Sequence, residues 1–562
     1  MTKGSFRDGC RLARRLLLRD LMELHPPLRA AFASLLALAL ACQGSIGEPT
    51  GEPAPYGPGG PGDAPLAEPE DLRFPARVWR LSPLHYQGEL DRLFGEDAPE
   101  VALPASAAEK GLSDIAANAR VDLGNASAFR EAARQVGDWA ATNAAALTGC
   151  APPDDAACVH AYLADLASSA YRRPASDDEL AALQGLYDTL RADYEFAYAF
   201  GGAVRAVLLS PGFLYRTELG DRVRDGRTEL TDHEIASLLA FAITDRGPDA
   251  ALLEAAAEGR LRDADERERQ ARRLMEGSAP MWQRFFWEWL HMATLESQGA
   301  EIDLDPALVA QMEEEYRTFV ANVVVERRGT LRELFSDPTT WARPELAAHY
   351  GASHPGEGLA EIALDPAQRG GLLTQGAWLV SHGKRGRANV VRRGMGVFVD
   401  AMCNDIAPPP DLDLEAELDR LAGPDATVRD IVEARGRDGV CGNCHRVADP
   451  IGLAFESYAS SGAWQVEYAH DGAPVESAIE LEGLGEFDSA PALSAALADD
   501  LRFQHCFVRR LTHFMVGRDV GGPTDLTWTH EAHAAFLESG TSFEELLVAL
   551  VRHPAFIERS KE

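Results

Sequence analysis

LTDHEIASLLAFAI, residues 230–243, decides the fold class. Thr231 and Glu234 stand three apart as the two members of a capping box, in which a hydroxyl and a carboxylate take up free amides of a first helical turn. Ile235, Leu238, Leu239 and Ala242 then recur at helical spacing. Working outward, the same start signal returns at Ser176/Glu179, Thr330/Glu333 and Thr541/Glu544. Ser82-Pro83 places an N-cap residue before a proline at the first helical position, and Leu90, Leu93 and Phe94 run on to Gly95 as a stop. Leu180, Leu183, Tyr187 and Leu190 form another apolar stripe. Strand signals are sparse; the clearest is VESAIEL, residues 475–481, whose alternation is bounded by Gly472-Ala473-Pro474 and a following glycine. The expected fold is mainly α with minor β.

The N-terminal end reads as an export signal. Arg29 precedes an apolar run from Ala30 to Ala41, too short to span a bilayer and suited to a signal-peptide core. Ala39-Leu40-Ala41-Cys42, followed by Gln43-Gly44-Ser45, resembles a bacterial lipobox with Cys42 as the lipidated residue, although Ala39 stands where leucine is usual. Ordinary cleavage without lipid is the alternative. Met22 gives a leader of more usual proportions than Met1, which would leave Cys10 outside the protein. Residues 43–69, dense in Gly, Pro, Glu and Ala, read as a flexible tether. The expected location is the bacterial cell envelope, exported and lipid-anchored, in the periplasm or at the outer-membrane surface.

The body is expected to divide into helical domains at 70–219 and 228–352, a third domain at 359–470 and a C-terminal helical domain at 471–562. Breaks are read at Gly220–Arg227 and Ser353–Gly358, and Ala407–Asp413, APPPDLD, interrupts the third domain. The formal charge of −34 argues against a nucleic-acid partner, whose phosphates such a surface repels. It suits docking of a basic redox partner, although a solvated acidic surface is the commoner reason for such a charge.

One short stretch proposes a chemistry. Cys441-Gly442-Asn443-Cys444-His445 has the C-x-x-C-H spacing of c-type haem attachment, where two thiols take the vinyl groups and the imidazole reaches the iron. The same spacing occurs in zinc sites, dithiol motifs and disulfides. Cysteine usage is consistent with export. Eight cysteines, less Cys10 and Cys42, leave six; Cys150 and Cys158 flank the loop APPDDAA and suit a local disulfide. If Cys441 and Cys444 hold haem, Cys403 and Cys506 remain as a long-range staple. Asp449-Pro450-Ile451-Gly452 reads as a turn, with Gly452 at positive φ, and Phe455, Tyr458 and Trp464 as cover for the macrocycle or as ordinary core. Met515 and Met402 are the candidate distal ligands. Met515 shares an apolar helix face with Phe507, Leu511 and Phe514, which favours a core role, and the distal ligand stays open.

Several segments together resemble a known family. Arg80-Leu81-Ser82-Pro83-Leu84-His85-Tyr86 is similar to its opening R-L-T-x-x-E-Y, with His85 where an acidic residue is usual, and Ala170-Tyr171-Arg172-Arg173-Pro174 to its A-F/Y-R-R-P. Leu230–Ser237 with Gly247-Pro248-Asp249 resembles L-T-x-x-E-x-A-S … P-D, without the family's tryptophan in 240–245. Arg369-Gly370-Gly371, Arg393-Gly394, Cys403, Asp449-Pro450-Ile451-Gly452 and Gly517-Arg518 follow in order. This series resembles the multi-domain secreted proteins of planctomycetes and myxobacteria, built from domains of unknown function around a cytochrome-like C-x-x-C-H segment. The resemblance implies an exported, mainly α body with a small cytochrome c-like segment, often lipid-anchored, with haem c as cofactor. It carries no reaction and no catalytic residue.

Weaker constellations complete the reading. His530-Glu531-Ala532-His533 lacks the H-E-x-x-H spacing of a zinc protease and reads as a solvated helix face. Glu313-Glu314-Glu315 reads as an exposed charge run. No P-loop, nucleophile elbow or dinucleotide fingerprint is found. The leading expectation is an exported c-type haem protein in electron transfer or extracytoplasmic redox chemistry, with Cys441, Cys444 and His445 binding the cofactor. The alternatives are a haem-free envelope binding or scaffold protein with a Cys441–Cys444 disulfide, and a zinc site.

Overall fold

Ser82 Oγ accepts the His85 amide at 3.1 Å and Pro83 takes the first helical position, so the first helix among the described residues starts where its cap residues place it. The computed structural model describes residues 75–560 apart from 96, 120–121, 225, 385–388, 405–426, 438–441 and 469–471. The expected leader, Cys42, the tether, the break at 407–413 and Cys441 lie outside the described residues.

Strand β1 (Arg77–Arg80) leads into α1 (Pro83–Phe94), and α2 (Leu123–Thr142), α3 (Ala156–Ala170), α4 (Asp177–Asp193) and α5 (Phe196–Leu208) complete a first helical unit. β2 (Tyr215–Glu218) then pairs antiparallel with β1. The Cys150–Cys158 disulfide ties the loop ahead of α3 to its first turn. The hairpin β3 (Arg222–Arg224) and β4 (Arg227–Glu229) opens the next region, and α6 (Asp232–Thr244) begins with the Thr231–Glu234 capping box. α7 (Ala264–Leu274), α8 (Ala279–Trp289), α9 (Pro306–Ala321) and the antiparallel pair β5 (Thr339–Ala342) and β6 (Ala360–Ala363) follow.

The remainder holds α10 (Val390–Met395), α11 (Val428–Arg437), α12 (Gly442–Leu453), β7 (Ile479–Leu481), β8 (Gly485–Phe487), α13 (Ala490–Asp499), α14 (Leu501–Val516), α15 (Pro523–Glu538), α16 (Phe543–Arg552) and β9 (Glu558–Ser560). β9 pairs antiparallel with β4, so the end of the body closes on the start of its second region. The fold is mainly α with short two- and three-stranded sheets, and among the described residues no helix is long and apolar enough to cross a membrane.

Two apolar cores organise these helices. One gathers α1 to α5 and receives Phe241 from α6. The other runs through everything from Leu230 to Ile557 and takes in Leu112 and Ile115 from the first unit. Helix α8 shows why: Trp282, Phe285, Phe286 and Trp289 recur at helical spacing and stack against the C-terminal helices. Phe285 lies 5.3 Å from Phe514, Phe286 6.0 Å from Phe507, and Trp289 5.7 Å from Phe503 between ring centroids. The second and last regions therefore share one interior.

Four local expectations are corrected. Asp449-Pro450-Ile451-Gly452 is not a turn but the C-terminal part of α12, which carries through Pro450. The cap before α16 is Ser542, whose hydroxyl takes the Glu545 amide, while Thr541 stands just outside at φ 65°. The strand in 475–481 shrinks to Ile479–Leu481 because only those residues find a partner, in β8. Glu315 leaves the expected exposed run and is fully buried on α9.

Candidate functional site

Helices α10 and α11 both pack on α12, the helix that carries the C-x-x-C-H histidine. The α10–α12 crossing is set by two glycines. A Cβ on Gly394 would stand 1.9 Å from the Ala448 carbonyl oxygen, and one on Gly452 1.9 Å from that of Val390. Gly452 is thus required for backbone approach, not for the positive φ expected of a turn.

His445 ends the first turn of α12. Its Nδ1 lies 2.9 Å from Oδ1 of Asp449, one turn along the same helix; Asp449 is fully buried and the imidazole is 14% exposed. A carboxylate can only accept, so Nδ1 carries the proton and Nε2 keeps a free lone pair. Nη1 of Arg435, on α11, faces the second carboxylate oxygen at 2.9 Å, an ion pair whose alignment is not that of a hydrogen bond. Sequence reasoning missed Asp449 and Arg435. The signal was an i, i+4 His–Asp pair, hidden by reading Asp-Pro-x-Gly as a turn.

Two buried arginines fix the chain that leaves α12. Arg393 donates to the carbonyl oxygens of Phe455 and Tyr458 at 2.8 Å and of Ala459 at 2.9 Å, and burial lowers its pKa to about 10. Arg369 donates to the carbonyls of Thr374 and Gly462 and lies over the Tyr350 ring at 3.9 Å. Phe455 packs on Trp378 at 4.9 Å and Tyr458 on Trp464 at 5.4 Å; Phe455 and Tyr458 are buried core, and Trp464 is half-buried against it. Met402 and Met515 are both buried in the large core. Met402 follows residues 396–401, which pack on α12; Met515 lies on α14, which packs on α6, α8 and α15. Cys403 and Cys506 form a disulfide. Cys441 and the Cys444 side chain lie outside the described residues.

The other family-like segments meet in a buried polar network between α1 and α6. His85 Nε2 lies 3.4 Å from Asp245 Oδ1 and 3.5 Å from Asp114 Oδ2. Arg284 binds Asp245 through two nitrogens, at 2.6 and 2.8 Å. Burial would raise the Asp245 carboxyl, but the Arg284 charge beside it holds it well below its ordinary value. Glu89 is bound by Arg92 and Arg172 and accepts the Gly247 amide at 2.8 Å. His85, in the place where an acidic residue is usual, thus faces two carboxylates with Arg284 beside them.

Four family models match, each described as a protein of unknown function: DUF1595 over 158–218, DUF1592 over 230–352, DUF1588 over 369–468 and DUF1585 over 485–556. Four domains of the planctomycete-type multi-domain set are therefore present in this chain. No curated protein and no solved structure matches it. In this chain the DUF1588 stretch contains Arg369, Arg393, His445 and Asp449, while the large core binds the three later domains into one body.

Two further clusters lie outside that stretch. Histidines 505, 530 and 533 gather between α14 and α15, with His505 4.9 Å from His530 and 5.5 Å from His533 between ring centroids. Burial lowers both His505 and His533 to about 4, so the expected solvated face is partly closed. Among the described residues no group of three or more His, Cys, Asp or Glu side chains is placed to hold a metal ion. Glu315 Oε2 accepts the Tyr350 hydroxyl at 2.6 Å and Oε1 accepts that of Thr340 at 2.9 Å.

Proposed function

We propose that this protein is an exported c-type haem protein acting in electron transfer or in redox chemistry outside the cytoplasm. Cys441 and Cys444 would form the two thioethers and His445 would be the proximal ligand. Bound haem supplies one-electron exchange at its iron. An export signal with Cys42 as lipid anchor would put the protein in the bacterial envelope.

The observation that carries the reading is the His445–Asp449 pair. An iron-ligating imidazole needs one nitrogen free and the other held, and a carboxylate holding Nδ1–H fixes tautomer and ring direction. Asp449 does this from full burial, 2.9 Å away, with Arg435 to offset its charge. The scaffold around it supports the same reading: the glycine crossing and the Arg393 and Arg369 contacts hold α12 and the chain beyond it in place.

Expression in a host that matures c-type cytochromes tests this. The purified protein should have a Soret band and keep its haem through denaturing electrophoresis. Cys441→Ser with Cys444→Ser should remove the colour and leave the helical circular dichroism. A colourless protein of unmodified mass would refute the proposal in favour of a haem-free envelope scaffold.

A further inference from the structure

Histidines 505, 530 and 533 meet where α14 packs on α15, and their ring contacts join the two helices. Nδ1 of His505 and Nε2 of His533 are buried and, among the described residues, have no hydrogen-bond partner. The charged groups that face these two rings are His530, beside both, and Arg509, one turn along α14 from His505. Among the described residues no carboxylate faces either ring. The acidic groups of the surrounding elements turn elsewhere: Glu531 of α15 to His553, Asp400 of the 396–401 segment to His291, Asp499 of α13 to Arg332 and Glu544 of α16 to Arg272. Asp232 and Glu234 of α6 accept backbone amides, Asp245 after α6 and Glu288 of α8 share Arg284, and Asp519 after α14 pairs with Lys110. Asp500 and Asp525, at the starts of α14 and α15, are held by Arg502 and Arg518.

A neutral imidazole carries one donor and one acceptor; a second proton adds a donor and a charge. Here the new donor finds no acceptor, and charged rings across the seam repel one another. Helix α15 can respond as a unit, because Gly521-Gly522 precede it and Gly540, at φ 71°, follows it. We infer that the three histidines make the α14–α15 seam an acid-sensitive latch, closed while the rings are neutral and opened at α15 when they take up protons. The latch lies apart from His445 and does not depend on haem. Its direction follows from linkage. Burial, with His530 beside them, lowers His505 and His533 from 6.5 to about 4 in the closed seam. Protons therefore favour the open form, so opening becomes easier as pH falls from about 6.5 to about 4 and levels off below. Each ring contributes up to about ten-fold per pH unit, less where water reaches it.

Hydrogen exchange of the full-length protein at pH 7 and pH 5, read by mass spectrometry and corrected for the intrinsic rate, tests this. The open fraction of residues 523–538 should rise at least about ten-fold at pH 5, while α5, in the other core, keeps its protection. His505→Gln with His533→Gln should flatten that rise. Each single variant, read alongside in case the double variant does not fold, should remove part of it. Magnetic-resonance titration of the wild-type rings, assigned through the single variants, should show both staying neutral to below pH 5. Equal exchange of 523–538 at the two pH values would overturn the inference. So would wild-type acid sensitivity in all three variants, or rings 505 and 533 that titrate near 6.5 with α15 still closed.

Discussion

Glu315 gives the sharpest energetic prediction. It is fully buried on α9, bonded only by the Tyr350 and Thr340 hydroxyls, and burial pushes its carboxyl up from 4.5 to about 7. Between those two values the folded protein holds a proton that the unfolded chain has released. Stability must therefore fall as pH rises from about 4.5 to 7 and level off above that. At about 1.4 kcal/mol per pH unit, the loss comes to about 3 kcal/mol. Other carboxylates titrate in the same range, so the contribution has to be isolated by difference. Glu315→Gln keeps the shape and removes the titration. Urea unfolding at pH 5 and pH 8 should show the wild type losing about 2.5 kcal/mol more than the variant, since part of the total is already lost at pH 5. Parallel pH profiles for the two proteins would refute the reasoning, because they would mean that Glu315 is as ionisable folded as unfolded.

Three further outcomes follow from the geometry. Replacing Cys403 and Cys506 together with serine opens a link between residues 103 apart, and should lower unfolding free energy by about 4–5 kcal/mol on the chain-entropy account, read from the urea midpoint. Gly394→Ala drives a Cβ into the Ala448 carbonyl and should cost at least about 2 kcal/mol in the same assay, whereas Gly185→Ala, mid-helix with open space around it, should stabilise by about 0.5–1 kcal/mol as the control. Asp449→Asn weakens the acceptor on His445 and should raise the reduction potential of the haem protein in spectroelectrochemical titration, since a less basic imidazole stabilises the oxidised iron less; an unchanged potential would remove Asp449 from the account.

Helices were legible in the sequence wherever a capping residue and an apolar stripe coincided, as at Ser82, Ser176, Thr231 and Thr330. Those signals are local, and the structure obeys them. What stayed hidden depends on tertiary packing. Pro450 and Gly452 have strong turn preferences, but α12 runs on through the proline, and the approach of α10 gives Gly452 another reason to be glycine. Glu315 looks like its exposed neighbours Glu313 and Glu314 until Thr340 and Tyr350 are seen to close over it. Domain breaks were read from Pro- and Gly-rich loops, yet the aromatic face of α8 shares its core with α14 and α16. The C-x-x-C-H motif and its histidine could be read directly; the carboxylate that orients that histidine could not.

The most direct test of the central claim is peptide mass spectrometry on the mature protein made with haem maturation. The tryptic peptide spanning Cys441 to His445 should carry the mass of one haem, with both cysteines resistant to alkylation. The same peptide without that mass, with its cysteines free or joined to each other, would contradict the account.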